Sequence, residues 1–354
     1  MASIPLACYL CVQMPKDTSV PSKPYSSLIS QEPAVEDDTA KKLLYNGLKY
    51  SFRDVYNMKQ AVSRLRKKRI DSRNAHTPVK TTTDSDNVFV KEMMTLNTTR
   101  IQVSLDEVFP MVQSGGYYKP PDCHSKHKVA ILVPYRNRTR NLTVFLFNIH
   151  PFLMNQKLEY RIFVIEQVGF GKFNKGRLFN AGFKEMKKYG EWKCVVFHDV
   201  DLLPLSGRIL YTCPSFPRHM SSAVIDRTAH TNASSPILFG GVTAMTLEHY
   251  EKANGHSNMY WGWGGEDYDM FWRLRAAGIP VVRYNKTVAR YLALPHGRER
   301  VNPLRYRLLR TAIDRWQEEG LADLEYRVET CFNRHLFTHI RVNINLSGDD
   351  AINL

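Results

Sequence analysis

Three short apolar runs lie in the middle of the chain, and longer segments with helical spacing separate them. The runs span 129–133, 161–165 and 194–197 and consist largely of β-branched and aromatic residues, which is typical of buried strands. Segments 139–156 and 175–190 show the spacing of helices. Alternation of strands and helices predicts an α/β fold with a central, mostly parallel sheet flanked by helices.

Dense hydrophobic patterning begins near residue 90, and the chain before it is mainly polar or basic. We therefore expect a flexible, basic, stem-like region over 1–89 and a folded domain over 90–350. Hydrophobic residues make up 43% of the 354-residue chain and aromatic residues 11%. This composition suits a globular core and excludes a wholly disordered or fibrous protein.

The net charge of +15 favours anionic partners such as nucleotides, nucleic acids, membrane headgroups or acidic glycans. A basic cluster at 64–69 has two interpretations, a nucleic-acid patch or a solvated stem. Because no nucleic-acid reading module or stacking pattern accompanies it, we expect no nucleic-acid partner. No apolar run reaches the roughly 18–20 residues of a transmembrane helix, so the sequence predicts none.

Polar residues follow each predicted strand, where ligands bind in parallel sheets. Asp199 and Asp201 form a D-x-D pair after the third strand. Because alternate residues of an extended chain point to opposite sides, one carboxylate can face a nucleotide while the other binds a divalent metal. A strand-terminating turn is the alternative. Arg136 and Arg138 follow the first strand and suit phosphate binding, although surface charge explains them equally well.

The segment 261–267, WGWGGED, is the most specific motif of the chain. Its glycines allow the backbone to bend or move, and its tryptophans offer flat apolar faces to a sugar. Glu266 and Asp267 place carboxylates beside those rings, and Asp267 could accept a proton from a hydroxyl. The alternative is an aromatic turn that precedes a helix beginning near Asp269, and both interpretations can hold together. Farther along, His296 follows a strand-like run at 287–294 and can complete a metal site, although a lone histidine is more often structural.

Taken in order, six motifs resemble the β-1,4-galactosyltransferase family, glycosyltransferase family 7, and in particular its invertebrate members. The resemblance covers about 100–345. The motifs are GGYYKPPDC at 115–123, KVAILVPYRNR at 128–138, FNKGRLFN at 173–180, FHDVDLLP at 197–204, FGGVTA at 239–244 and WGWGGED at 261–267.

This resemblance implies a GT-A fold, dependence on Mn2+ and inversion at the anomeric carbon. The implied reaction moves galactose or N-acetylgalactosamine (GalNAc) from a UDP-sugar to the 4-hydroxyl of a terminal N-acetylglucosamine (GlcNAc) on a glycoprotein or glycolipid. The implied donor site comprises Arg136, Arg138, Phe173, Lys175, Asp199, Val200 and Trp263.

The remaining implied roles belong to the metal, the chemistry and the acceptor. Asp201 and His296 would bind Mn2+, Glu266 would position ligands, and Asp267 would be the catalytic base. Trp263 would also act as a mobile lid. An acceptor N-acetyl pocket is implied for Arg305, Tyr306 and Leu309.

The family resemblance also bears on the cysteines and on location. It implies a disulfide between Cys194 and Cys213, which spacing alone leaves open. Cys123 lacks its usual partner in 90–122, so we expect it to pair with Cys331 or to be free. Family members are Golgi membrane proteins, so the resemblance implies a Golgi location and membrane association.

Three departures from the family pattern affect the predicted site. Ala293 stands where the family has a metal-binding Met, so we expect weaker Mn2+ binding or a shifted ligand. Tyr268 replaces an Asp that hydrogen-bonds the acceptor, so acceptor recognition is expected to differ. Leu238 replaces the Tyr of vertebrate members and leaves room for an N-acetyl group, which predicts that UDP-GalNAc is accepted. A catalytically weakened, lectin-like member is the alternative function.

Overall fold

The strands of the structure, a computed structural model, form three sheets within the residues that it describes, 11–13, 109–226, 231–297 and 299–346. The strands are β1 (Cys11–Gln13), β2 (Tyr117–Tyr118), β3 (Cys123–Ser125), β4 (Lys128–Tyr135), β5 (Glu159–Gln167), β6 (Cys194–His198), β7 (Leu202–Pro204), β8 (Arg218–His219), β9 (Ala223–Ile225), β10 (Thr231–Ala233), β11 (Val242–Thr246), β12 (Val282–Arg283), β13 (Arg290–Ala293), β14 (Arg327–Asn333) and β15 (Thr338–Asn343).

Helices connect these strands and cover both faces of the main sheet. They are α1 (Thr139–Asn155), α2 (Lys175–Met186), α3 (Leu247–Lys252), α4 (Glu266–Ala276), α5 (Arg305–Arg310) and α6 (Ala312–Arg315), and a 3-10 turn at Lys187–Tyr189 extends α2.

The main sheet has the strand order β12-β8-β11-β6-β4-β5-β15-β14, and β2 pairs with β5 at its side. Its centre is parallel, because β4 pairs in parallel with β5 and β6, and β15 pairs in parallel with β5. The flanking strands β11 and β14 are antiparallel to their neighbours. The predicted α/β fold with a central, mostly parallel sheet is therefore confirmed.

Alternation along β4 explains how the sheet is held between two cores. Val129, Ile131 and Val133 face the side that α1 covers, and Ala130 and Leu132 face the side covered by α2. All five side chains are fully buried. Burial on both faces is the reason that this strand reads as a continuous apolar run rather than an alternating one.

All three predicted strands and both predicted helices are present. The apolar runs are the inner parts of β4, β5 and β6, and the helices correspond to α1 and α2. The second helix ends earlier than predicted, since its last turn is 3-10 and Gly190 follows with φ of 125°. Such a backbone angle is readily adopted only by glycine.

A smaller sheet, of order β10-β9-β13-β7, connects the strand-like run at 287–294 to the D-x-D segment. Ala293 of β13 pairs with Leu202 of β7, and the Leu294 amide donates to the Asp201 carbonyl at 2.7 Å. Because of this pairing, the chain lies beside Asp201 at Leu294, two residues before His296. The sheet thus joins two motifs that are far apart in sequence.

The cysteines confirm one expectation and correct another. Cys194 and Cys213 form a disulfide with a Cα–Cα distance of 5.3 Å. Both expectations for Cys123 are wrong, because it is disulfide-bonded whereas Cys331 has a free thiol. Cys331 lies on β14 at the edge of the main sheet, 2.9 Å from the Tyr189 hydroxyl, and Cys123 lies on β3, which belongs to a separate two-stranded sheet.

The N-terminal region predicted to be a basic stem lies outside the described residues, apart from Cys11–Gln13. That short piece is β1, which pairs antiparallel with β3. Among the helices that the structure describes, none is both long and apolar enough to cross a membrane.

Candidate active site

The candidate active site lies where β4 and β6 end in the middle of the sheet. Arg136 and Arg138 follow β4, and Asp199 and Asp201 follow β6. Arg138 donates to the Asp201 carboxylate at 3.0 Å. Neighbouring parallel strands end at the same edge of a sheet, so the polar residues predicted at these strand ends come together.

Asp201 and His296, the two predicted metal ligands, are in direct contact. The His296 Nε2 atom lies 2.9 Å from Asp201 Oδ2. The Nδ1 atom of His296 lies 2.6 Å from the Gly297 carbonyl and 3.3 Å from the Arg138 guanidinium, so Nε2 is the ring nitrogen that faces the carboxylate. The Nε2 position beside the carboxylate is then where a cation would be held. A carboxylate oxygen and an imidazole nitrogen are both suitable Mn2+ ligands.

The charges around this pair keep Asp201 ionised. Burial would raise the pKa of Asp201, but the hydrogen bond from His296 and the charge of Arg138 together lower that pKa below its usual range. Conversely, the bond to Asp201 raises the pKa of His296. Within the described ranges, no group of three or more His, Cys, Asp or Glu side chains could hold a metal ion. Among the described residues, Asp201 and His296 thus form a pair and are not part of a larger cluster of this kind.

Lys175 is the centre of a second cluster that contains the predicted base. Its Nζ atom lies 2.8 Å from Asp267 Oδ1, 3.0 Å from Glu266 Oε1 and 3.8 Å from Asp199 Oδ1. The sequence predicts Lys175 as a donor-site residue, and the structure adds its contact with both carboxylates of the WGWGGED motif. Lys175 begins α2 whereas Glu266 and Asp267 begin α4, so the cluster joins two helix N-termini.

Two acids of this cluster, Asp267 and Asp199, have a raised pKa. Burial raises the pKa of Asp267 to about 6, and the Glu266 charge adds to this effect while Lys175 opposes it. Burial likewise raises the pKa of Asp199 to about 7, against the opposing charge of Lys175. A carboxyl group with a pKa near neutrality is suited to accept a proton and later to release it.

The two carboxylate oxygens of Glu266 differ in their partners. Its Oε1 bonds Lys175, whereas Oε2 is buried and has no hydrogen-bond partner among the described residues. A buried acceptor without a partner is costly, so a donor group from a ligand would be favourable at this atom. That Glu266 positions ligands stays a prediction.

Asp267 is packed against the backbone of the segment that carries the predicted donor-specificity residue. Gly240 lies so close that a Cβ atom there would overlap the Asp267 carboxylate. The amide of Phe239 also donates to the Asp267 carbonyl at 3.1 Å. Leu238, immediately before, is half-buried at this same edge of the site.

A buried network fixes the carbonyl groups of this segment. Arg283 donates to the Leu238 carbonyl at 2.6 Å and also contacts His219 at 2.6 Å. His219 and Ser221 both approach the Gly240 carbonyl, at 3.1 and 2.9 Å. None of these anchoring residues was predicted from the sequence. They lie in and beside β8 and β12, and no local motif marks them.

The glycines of WGWGGED shape a tight turn that ends at the acids. Gly262, Gly264 and Gly265 have φ angles of 88°, 101° and 107°, which favour glycine. Helix α4 begins directly afterwards at Glu266, three residues earlier than the predicted start at Asp269. The two acids therefore occupy the first turn of α4, where the helix dipole stabilises negative charge.

Trp263 projects from this turn and is 59% exposed. Its backbone forms a bridge with Val301, in which Trp263 N donates to the Arg300 carbonyl at 2.7 Å and Asn302 N donates to the Trp263 carbonyl at 2.9 Å. The role of Trp263 as a lid stays a prediction. The bridge also connects the turn to the segment that follows His296.

The predicted nucleotide residues surround the end of β4. The Arg136 guanidinium lies 5.2 Å from the centre of the Phe173 ring and donates to the Gly171 carbonyl at 2.5 Å. Arg136 also pairs with Glu299 at 3.3 Å. Val200 is buried between the two acids of the D-x-D pair, so its backbone rather than its side chain would face a ligand.

The predicted acceptor residues lie on the other side of Trp263. The Arg305 guanidinium stacks 4.4 Å from the centre of the Tyr306 ring and 6.0 Å from that of Trp263. Tyr306 is 65% exposed. Leu309 follows on α5, and Tyr268 lies on the first turn of α4 next to the base, both half-buried.

Asp269 has a structural role and is not part of the candidate site. It is fully buried and pairs with Arg273 and Arg315, each at 2.6 Å, while the Tyr260 hydroxyl donates to it at 2.8 Å. Glu319 pairs with both arginines. This network holds α4 against α6 and fixes the direction of its first turn. The i, i+4 spacing of Asp269 and Arg273 was the one signal of it in the sequence.

The mostly parallel sheet flanked by helices, with acids at its strand ends, is the fold of GT-A type glycosyltransferases. Two family models match the chain, one described as the N-terminal region of glycosyl transferase group 7 over 81–214 and one as the N-terminal domain of galactosyltransferase over 218–297. The chain therefore belongs to the glycosyl transferase group 7 family, which includes the β-1,4-galactosyltransferases.

Curated relatives agree with this assignment. Beta-1,4-galactosyltransferase 6 of Homo sapiens is 41% identical over 257 residues, which cover 70% of this chain and 66% of that relative. Beta-1,4-galactosyltransferase 4 of Cricetulus griseus is 41% identical over 235 residues, covering 65% of this chain and 67% of the relative. The matched part of the chain thus spans about two thirds of the length of these relatives.

Solved structures of the same family share the fold. The catalytic domain of Drosophila beta1,4galactosyltransferase 7 in complex with xylobiose has a TM-score of 0.53 and 29% identity, covering 62% of this chain and 94% of that chain. A mutant of that protein, in complex with manganese, UDP-Gal and xylobiose, has a TM-score of 0.53 and 28% identity, with the same coverage.

Proposed function

We propose that the chain transfers galactose or GalNAc from a UDP-sugar to the 4-hydroxyl of a terminal GlcNAc, with inversion and in β linkage. One observation carries this proposal. Asp267 is held between Lys175 and the backbone of Gly240, and the exposed Trp263 stands four residues earlier in the chain. Galactosyl transfer is also the activity named for the relatives that the chain matches.

Asp267 is the catalytic base in this proposal. It takes the proton from the acceptor 4-hydroxyl as that oxygen attacks C1 of the donor sugar, and the C1–O bond to UDP breaks on the opposite face. The proton then rests on the Asp267 carboxylate, whose raised pKa of about 6 makes it a competent acceptor near neutral pH.

Lys175 and Glu266 prepare the base for this step. The Lys175 ammonium orients Asp267 and, because it is positive, favours the deprotonated form that can act as a base. Glu266 uses its unpartnered Oε2 to accept a hydrogen bond from a sugar hydroxyl or N-acetyl amide. Together they hold the acceptor hydroxyl toward C1.

The metal in the proposal is Mn2+, held by Asp201 and His296. The contact of Nε2 with the carboxylate, together with the bond of Nδ1 to a carbonyl, suits a divalent cation. A bound Mn2+ would neutralise the charge that builds up on the departing UDP. A relative of known structure was solved with manganese and UDP-Gal, which supports both the metal and the donor class.

The donor site is proposed to be formed by Arg136, Arg138, Phe173, Asp199 and the Val200 backbone. The two arginines supply cationic hydrogen-bond donors for the diphosphate and the uracil. Trp263 closes over the donor sugar and excludes water, which limits hydrolysis. Leu238 leaves room for a C2 N-acetyl group, so UDP-GalNAc is accepted beside UDP-Gal.

The acceptor N-acetyl group is proposed to lie against Arg305, Tyr306 and Leu309. Tyr268, next to the base, contacts the acceptor in place of an acid. The acceptor class is a GlcNAc-terminated glycan of a glycoprotein or glycolipid. The proposed location is the Golgi lumen, with membrane association. The Cys194–Cys213 disulfide supports an oxidising compartment.

A donor-by-acceptor assay tests this function. Turnover of UDP-Gal or UDP-GalNAc on GlcNAc in the presence of Mn2+, with loss of about 1,000-fold or more in Asp267→Asn, is the expected result. Product linkage is read by NMR. Binding of sugars without turnover, unaffected by Asp267→Asn, would instead establish the lectin-like alternative.

A further inference from the structure

Three buried side chains form a hydrogen-bonded network beside the D-x-D pair, and the proposed function gives this network no role. His198 ends β6, Tyr211 lies in the segment that the Cys194–Cys213 disulfide closes, and Tyr291 belongs to β13. The Tyr211 hydroxyl lies 2.8 Å from His198 Nε2 and 3.1 Å from the Tyr291 hydroxyl. All three side chains are fully buried. This tyrosine network therefore links three separate segments through one hydroxyl group.

The hydrogen bonds of the tyrosine network run in one direction. His198 Nδ1 lies 2.9 Å from the Asp199 carbonyl, and because a carbonyl only accepts, Nδ1 carries the ring proton. Burial lowers the pKa of His198 to about 4, so the ring is neutral and Nε2 accepts from the Tyr211 hydroxyl. Since the hydrogen of Tyr211 is committed to Nε2, its oxygen accepts from the Tyr291 hydroxyl. Removal of any one group would leave a buried polar atom without its partner, which is costly.

One end of the tyrosine network holds the turn that carries Asp201. The Asp199 carbonyl accepts from His198 Nδ1 and also from the Leu202 amide, at 3.3 Å. Residues 199–202 therefore form a turn whose first carbonyl is held by the imidazole as well as by the turn itself. Because Asp201 lies inside this turn, a rotation of that carbonyl group would tilt the Asp201 carboxylate.

The other end of the tyrosine network holds the strand that leads to His296. Tyr291 lies in β13, five residues before His296. Farther along the same segment, the Leu294 amide donates to the Asp201 carbonyl at 2.7 Å. The network is thus a second connection between the segments that carry Asp201 and His296. Two fixed connections restrict how far these side chains can move apart.

We propose that Tyr211 is a positioning residue for the metal site, acting through His198 and Tyr291 on the two ligands. The proposal rests on the proposed function, in which Asp201 and His296 bind Mn2+. Each ligand comes from a separate backbone segment, so the affinity for the metal depends on a constant separation of the two segments. Because the Tyr211 hydroxyl bonds His198 and Tyr291, its influence reaches the ligands through the backbone.

Mn2+ titration of the full chain, followed by electron paramagnetic resonance without donor or acceptor, tests the proposal. Tyr211→Phe removes the hydroxyl alone, and we expect the Kd for Mn2+ to rise by about tenfold, the lower end of effects for residues around metal ligands. Tyr291→Phe removes the last donor of the tyrosine network and should cause a smaller rise. Should Tyr211→Phe fail to fold, Tyr291→Phe decides, because its loss leaves the bond between Tyr211 and His198 in place.

Turnover gives a second measurement that distinguishes positioning from general loosening. The Mn2+ concentration for half-maximal rate should rise in Tyr211→Phe as its Kd does. At saturating Mn2+, the kcat of this variant should return to within about twofold of the wild-type value, since Asp267 and Lys175 are unchanged. A kcat that stays low at saturating Mn2+ would overturn the proposal.

Tyr160→Phe provides the matched control. Tyr160 is also fully buried, its hydroxyl lies 2.8 Å from His150 Nδ1, and His150 Nε2 lies 2.9 Å from the Leu336 carbonyl. This pair repeats the bonding of His198 and Tyr211, but it lies near the start of β5, at the opposite end of the strand from the site. Both substitutions should lower Tm by a similar amount, because each removes one buried hydrogen bond. Tyr160→Phe should leave the Kd for Mn2+ unchanged.

The remaining outcomes separate this proposal from the proposed function. A Kd for Mn2+ that is the same in the wild type and in Tyr211→Phe, or that Tyr160→Phe raises equally, would overturn the positioning role and leave the transferase function standing. Weaker Mn2+ binding confined to Tyr211→Phe and Tyr291→Phe, in a protein that turns over no UDP-sugar, would support the positioning role and overturn the transferase function. Failure of the wild-type protein to bind Mn2+ would overturn both.

Discussion

Lys175 Nζ lies 2.8 Å from Asp267 Oδ1, and the two residues stand at the first turns of different helices. Burial and this ion pair act in opposite directions on the pKa of the proposed base. Burial raises the pKa of Asp267 to about 6, and Lys175 limits that rise. Activity therefore needs the deprotonated carboxylate, and kcat/KM should decline as the pH falls below about 6.

Lys175→Met tests that relationship directly. The positive charge of Lys175 lowers the pKa of Asp267, so its loss should raise that pKa. The acidic limb of the pH–rate profile should then move to higher pH by roughly one unit or more. Lys175→Arg keeps the charge and should leave the limb near its wild-type position. Profiles of kcat/KM against pH for the three proteins provide the measurement. An unmoved limb in Lys175→Met would show that another group titrates.

Gly240→Ala should impair catalysis while leaving the fold intact. The added Cβ overlaps the Asp267 carboxylate and must displace it, and a base shifted by about 1 Å costs on the order of 100-fold in kcat. Gly240 has no left-handed φ, so alanine adds no backbone strain there. Steady-state kinetics and thermal unfolding check both parts. A large fall in Tm with normal specific activity would contradict the prediction.

Leu238→Tyr should change which donor the protein uses. A tyrosine ring at this half-buried position narrows the space near the sugar C2 substituent, so the kcat/KM ratio of UDP-GalNAc to UDP-Gal should fall by roughly tenfold or more. Leu238→Ile keeps the volume and serves as the control. The Arg283 bond to the residue-238 carbonyl is independent of the side chain, so the backbone should stay in place. Strict use of UDP-Gal, unchanged in Leu238→Tyr, would reject the donor assignment.

Ala293→Met should strengthen Mn2+ binding. Ala293 pairs with Leu202, the residue after Asp201, and stands three residues before His296, so its backbone lies close to the proposed metal site. A thioether there adds a ligand, and we expect the Kd for Mn2+ to fall by about tenfold. Titration of Mn2+ followed by electron paramagnetic resonance measures this without turnover. Ala293→Leu, similar in size but lacking sulfur, should not improve binding, and His296→Ala should weaken it.

The strands and two helices of the centre were predictable because their patterns are local. Each buried run in β4, β5 and β6 is short, apolar and followed by polar residues. The start of α4 was less predictable, since Gly265 with φ of 107° allows the helix to begin immediately at Glu266. Local spacing alone favoured a start at Asp269, which is instead buried in an ion-pair network.

The site could be predicted as a set of residues but not as a set of contacts. Asp201 and His296 were proposed as joint ligands, and they lie side by side. By contrast, the overlap of Gly240 with Asp267 and the anchoring by Arg283 depend on where distant segments pack. Neither the hydrophobic periodicity nor the motif spacing of the sequence indicates such contacts. The cysteine error has the same origin, because the pairing of Cys123 depends on which distant segment lies beside it.

The backbone bridge between Trp263 and Val301 has a consequence for the timing of turnover. The turn that carries Trp263 and the segment after His296 share two hydrogen bonds, so neither can swing away without breaking the link or taking the other with it. Under the proposed function, a movement on the metal side of the cleft would therefore be passed to the turn on the acceptor side, so binding of the donor would reshape the acceptor surface.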